Sequence, residues 1–118
     1  MATVVALLPD LLFGSKVAAM LSDAGHDVVT CTQEDQVRGQ ADRADVLVVD
    51  LTTDLVDGVM LVDSMRSGGE LPGVPVLGYY RHTDTDTREQ AETAGFSLVV
   101  PRSRMAREAA ELVAGLAG

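Results

Sequence analysis

Apolar residues follow two alternating rhythms along this chain. Thr3 to Leu8, Asp27 to Thr32, Asp45 to Asp50, Pro75 to Tyr80 and Leu98 to Val100 are short runs rich in valine and leucine. They are too short for helices and carry the β-branched bias of strands covered on both faces, so each predicts a strand of a buried parallel sheet. Between them, apolar positions recur at helical spacing. Phe13 to Ala24 places Val17, Met20 and Leu21 on one face, and Gly25 closes it. Asp57 to Met65 carries Met60, Leu61 and Met65 before Gly68 and Gly69 stop it. Arg88 to Gly95 and Arg104 to Leu116 are the last two helices, while Gln33 to Arg43 is polar and only weakly helical. Five strand–helix units predict right-handed crossovers and a doubly wound α/β sheet with helices on both faces. With no linker, repeat or low-complexity tract, residues 1–118 read as one domain.

Composition narrows the chemistry. Apolar residues make up 47% of the chain and aromatics only 3%, so the core is Val, Leu, Ala and Met, with little left for base-stacking platforms. Nine Lys and Arg stand against 18 Asp and Glu, and the resulting charge of −9 argues against a nucleic-acid partner. The single Cys31 forms no internal disulfide and reads as a small core residue. The two histidines lie in unrelated places, which leaves no Cys/His metal motif. Met1 to Leu12 has neither a basic leader nor a long apolar stretch; the expectation is a cytoplasmic protein with no membrane partner.

One carboxylate stands out by position. Asp50 ends the apolar run Val46–Val49, at the carboxyl edge where open α/β sheets gather ligands and reactive groups. Arg81 and His82 follow the fourth strand, and Arg102, Ser103 and Arg104 follow the fifth. These cations are candidates to converge on that edge. An arginine among them could pair with Asp50 in a guanidinium fork, or the group could bind an anion with help from the helix start behind Ser103. Other motifs dissolve into local structure. Thr83-Asp84-Thr85-Asp86-Thr87 lacks the Gly and distal Glu of a calcium loop, and Asp86 with Glu89 and Thr87 with Gln90 fit capping boxes. Asp54 and Asp57 suit the start of a helix. Gly14 stands alone, without a phosphate-binding motif, and no nucleophile, base and orienter set is present.

Asp50-Leu51-Thr52-Thr53-Asp54-Leu55-Val56-Asp57-Gly58 resembles, residue for residue in spacing, the phospho-acceptor segment of response-regulator receiver domains. Pro75-Val76-Leu77, Ala94-Gly95 and Val99-Val100-Pro101 resemble the fourth strand, the fourth helix end and the fifth strand of the same family. The resemblance covers the whole chain and implies a flavodoxin-like (βα)5 fold with strand order 2-1-3-4-5. It also implies an acceptor Asp, two metal-binding acids, a Thr or Ser after the fourth strand and a Lys after the fifth. Here Leu8 and Pro9 stand at the acid positions, with Asp10 one residue late and better suited to capping the first helix. Tyr80 stands at the hydroxyl position and Val100 at the lysine position.

The first expectation is therefore a degenerate receiver, not an enzyme and without a cofactor, that binds a protein partner such as a histidine kinase or output protein. The face from Tyr80 and the fourth helix to Arg104 and the last helix is the surface the resemblance implies, and a homodimer through it is a further expectation. Two alternatives stay open. One is a functional receiver phosphorylated on Asp50, with Asp10 and Asp50 holding Mg²⁺. The other is an anion or small-ligand sensor built on Arg81, Arg102 and Arg104.

Overall fold

Alternate residues of the central strands belong to different cores, and that parity organises the molecule. The computed structural model describes residues Met1–Gly118. Its strands are β1 Thr3–Leu7, β2 Asp27–Cys31, β3 Val46–Asp50, β4 Val76–Tyr80 and β5 Leu98–Pro101. They form one parallel sheet in the order β2-β1-β3-β4-β5, the order expected. The helices are α1 Leu11–Asp23, α2 Glu34–Gln40, α3 Gly58–Ser67, α4 Thr85–Thr93 and α5 Arg102–Ala117, with one 3₁₀ turn at Ala41–Arg43.

Val4, Ala6, Val46, Val48, Leu77 and Tyr79 face α1 and α5, where they meet Val17, Leu21, Met105 and Ala109. Their neighbours Val5, Leu7, Leu47, Val49 and Val76 face the other way, onto Val37 of α2, Leu61, Val62 and Met65 of α3, and Ala91 of α4. Each fully buried Leu or Val contributes about 1.5–3 kcal/mol of transfer free energy, so the two cores hold the sheet from both sides. Leu112 and Val113 of α5 are buried in the first core, so they do not form a face shared with a second copy. Cys31 is also in the core, where burial pushes its thiol pKa up. No helix is long and apolar enough to cross a membrane.

Helix starts depart from the apolar spacing because caps set them. Asp10 accepts from the Leu12 and Phe13 amides at 3.1 and 3.3 Å, so α1 begins at Leu11, ahead of its first core residue. Asp84, not the capping boxes at Asp86 and Thr87, starts α4: its carboxylate accepts from the Thr87 amide at 3.1 Å and hydroxyl at 2.6 Å. These bonds hold the Asp84 carboxyl below its ordinary pKa. Pro101 occupies the cap position of α5, and the helix runs from Arg102, so Ser103 lies in its first turn and not before it. Glu108 interrupts α5 with non-helical φ −127° and ψ 17°.

Candidate functional site

Asp50 is the one charged side chain buried in the chain, 1% exposed at the carboxyl end of β3. Its Oδ1 accepts from the Thr52 amide at 2.7 Å and the Thr52 hydroxyl at 2.6 Å, both bonds closed by the turn that leaves the strand. Its Oδ2 has no partner. The strand register sets Asp50 beside Tyr79 of β4, so the two side chains rise from the same face of the sheet. Tyr79 is fully buried and its hydroxyl also lacks a hydrogen bond. Burial first, and the Asp50 charge second, push its phenol far above the ordinary range, so it stays protonated. The phenol lies close enough to the carboxylate for the Asp50 charge and its hydrogen-bonding pull to raise its pKa, yet neither the Tyr79 hydroxyl nor Oδ2 has a partner in ordinary hydrogen-bond geometry.

An aromatic column continues outward from this pair. The Tyr79 and Phe13 rings lie 5.3 Å apart, tilted by 58°. Over the outer side of that pair, the Arg102 guanidinium sits 4.3 Å from the Phe13 ring centre, a cation–π contact. Arg102 also approaches Asp10, at 3.9 Å.

The cations do not reach Asp50. The arginine fork on Asp50 suggested by the sequence is not formed, since Arg102 is drawn onto Phe13 and no basic group lies within ion-pair distance of the carboxylate. Arg104 points along α5 to Glu108 at 3.4 Å and takes no part in the edge, a correction to the convergence expected of it. Arg81, His82 and Ser103 are exposed on the loops and helix start around it. Tyr80 is buried on the opposite face from Tyr79, in the core with Phe96 and Leu51, and so contributes nothing to a docking surface. Leu8 and Val100 are each 1% exposed in the α1/α5 core, and Pro9 is buried beside Leu8.

Magnesium, which the fold family implies, takes about six oxygen ligands at close to 2.0–2.1 Å, one or two of them from open carboxylates with room around them for the ion's waters. Asp50 offers one enclosed oxygen, the Oδ1 of Asp10 is committed to two amides, and no three acidic, His or Cys side chains gather in ligating geometry. These residues do not fit the ion. Of the shallow cavities along this edge, two are lined by Arg102. One, of about 520 Å³, lies over the β3 turn between Asp10, Thr52, Leu55, Arg81 and Arg102. The other, of about 460 Å³, lies between Phe13, Arg81, His82, Arg102, Ser103 and Ala106.

Thr52, which lies inside the Asp50–Gly58 segment without a role assigned to it there, completes the site together with Phe13 and Tyr79, which belong to no motif quoted above. The signal for Tyr79 is alternation: in adjacent parallel strands ending together, the penultimate residue of β4 shares a face with the last residue of β3.

No family model and no curated protein matches this chain. Solved structures do. The Francisella response regulator 1452 receiver domain superposes with a TM-score of 0.85 at 16% identity, covering 99% of this chain and 97% of that one. The signal receiver domain of the putative response regulator NarL from Mycobacterium tuberculosis gives 0.81 at 21%, covering 98% and 95%. The receiver domain of the Pseudomonas aeruginosa sensor histidine kinase PA1611, which has magnesium coordinated in its active-site cleft, gives 0.85 at 18%, covering 99% and 98%. At such identities the likeness shows the fold, and the fold is that of receiver domains.

Proposed function

We propose that this chain is a signalling module of receiver fold that works by binding a protein partner and is not switched by phosphorylation of Asp50. The observation that carries this reading is the state of the Asp50 carboxylate. One oxygen is held by both donors of Thr52, and the other is sealed in beside Tyr79. Phosphoryl transfer is driven almost wholly by charge placed around the acceptor and the moving phosphoryl group. Leu8, Pro9 and Val100 supply none, and each is packed in the interior where a charged replacement would lose its solvation.

A protein partner is supported by the other residues of the same edge. Leu11, Leu12 and Leu55, three of the five large apolar side chains that the chain exposes, stand at this edge at 71%, 89% and 74% exposure and offer apolar surface to a partner. Histidine kinases and output proteins are the partner classes the fold suggests.

The test is incubation with Mg²⁺ and acetyl phosphate followed by intact-mass measurement. The expected spectrum shows the unmodified chain alone. A stoichiometric gain of one phosphoryl group, mapped to Asp50, overturns the proposal.

A further inference from the structure

The Arg81 side chain has no hydrogen-bond or ion-pair partner, unlike every other arginine of this chain. Arg38 is held by Glu34 and Glu70, Arg43 by Gln40, Arg66 by the carbonyls of Leu71, Val74 and Gly95, and Arg88 by Glu92. Arg104 and Arg107 share Glu108. Arg102 keeps a loose contact to Asp10 at 3.9 Å. In a chain with twice as many acids as bases, an unpartnered arginine is the exception. Arg81 also stands beside Arg102 and His82 in the 460 Å³ cavity, whose own lining contains no acid, while the other side of Arg81 faces Asp54, Asp57 and Asp84 across the neighbouring space.

The geometry points to a binding site in that cavity for a small organic oxyanion, a phosphate or carboxylate monoanion or dianion carrying an apolar group. Arg102 is fixed in place by its seat on Phe13, so its remaining N–H donors are presented with part of their rotamer entropy already lost. Arg81 supplies a second guanidinium, and Ser103 a hydroxyl donor. Pro101 brings no side-chain hydrogen bond to the start of α5, so the first-turn amides of that helix, whose Arg102 and Ser103 line the cavity, have no side-chain cap. Phe13 and Ala106 form the apolar part of the wall, which is why the ligand class is an organic anion and not a bare ion. Arg104, included in the sequence expectation of an anion site, has no place in it. The inference goes beyond the reading of Asp50 and does not depend on it, because Asp50 does not line this cavity.

Titration of the ¹⁵N-labelled protein with phenyl phosphate, followed by amide shifts, tests the assignment. Saturable shifts are expected at Arg81 to Thr83 and Arg102 to Ala106. Losing one charge-assisted contact in Arg81→Ala or Arg102→Lys weakens binding by about tenfold or more. Arg104→Ala, on the same helix but paired outside the cavity, changes it by less than about twofold. Inorganic phosphate, lacking the apolar group, binds more weakly than phenyl phosphate. Absence of saturation, shifts scattered over the surface, an equal loss in Arg104→Ala, or equal affinity for the two phosphates would each overturn it. Arg81 is exposed, so its variant keeps the test valid even where Arg102→Lys disturbs the packing on Phe13.

Discussion

Replacing Asp50 by Asn makes the protein more stable. The carboxylate is 1% exposed, and no cation lies within ion-pair distance of it. Burying an uncompensated charge costs several kcal/mol even after relaxation. The amide keeps the shape, and its carbonyl still accepts both Thr52 donors, now without charge assistance, at a loss of about 1 kcal/mol per bond. Its NH₂ takes the place of Oδ2 and can donate to the Tyr79 hydroxyl, pairing the two atoms left unpaired in the native site. The balance favours Asn by about 1–3 kcal/mol, a rise of about 3–10 °C in Tm for a chain of this size. Urea unfolding followed by far-UV circular dichroism at neutral pH measures it. Tyr79→Phe and the double variant complete a cycle that isolates the new contact, and the gain from Asn should shrink once the Tyr79 hydroxyl is removed. A loss of about 1 kcal/mol or more in Asp50→Asn would refute the reasoning, because it would mean that a cation compensates Oδ2 in solution.

Two further outcomes check the packing and the caps. A methyl added at Gly78 would sit 2.7 Å from the Phe96 ring and 2.9 Å from Leu51, so Gly78→Ala destabilises by about 1–3 kcal/mol in urea unfolding, and shortening Phe96 to Leu in the same chain recovers part of the loss. An unchanged midpoint for Gly78→Ala would contradict the close approach of β4 and Phe96. Asp84 has a folded pKa below its unfolded value, so its contribution is present above about pH 4, the ordinary carboxyl range, and is lost as pH falls through the lower folded value. Asp84→Ala therefore lowers the midpoint at neutral pH, and the gap to the native chain narrows near about pH 3. A gap that is constant or widens toward acid would show that the cap is not ionic.

The sheet and its order were legible because the five apolar runs are short, β-branched and separated by amphipathic segments. Valine and leucine at Val46–Val49 leave little choice but a strand buried on both faces. Helix starts were harder to read because one residue decides them. In the repeat Thr83 to Thr87 several positions have the chemistry of a cap, and only backbone placement selects Asp84. At the site, spacing located Asp50 and the substitutions at Leu8, Pro9 and Val100, but it pointed to Tyr80 as the partner position after β4. Alternation across the β3–β4 register makes Tyr79 the neighbour of Asp50 and turns Tyr80 to the other core. The arginines were illegible for a different reason. Charge attracts over distance, but where each guanidinium settles depends on what stands nearby: Glu108 for Arg104 and the Phe13 ring for Arg102.

The order β2-β1-β3-β4-β5 also sets a hazard during synthesis. Once Asp50 has left the ribosome, β2, β1 and β3 can assemble, with β1 sheltered between the other two. The outer edge of β3, Leu47 to Asp50, then waits for β4, whose last residue, Tyr80, follows thirty positions later. Throughout that interval a row of free amides and carbonyls flanked by bare valine and leucine is open to any other extended chain. The nascent chain is most prone to aggregate while its most buried strand is still an edge.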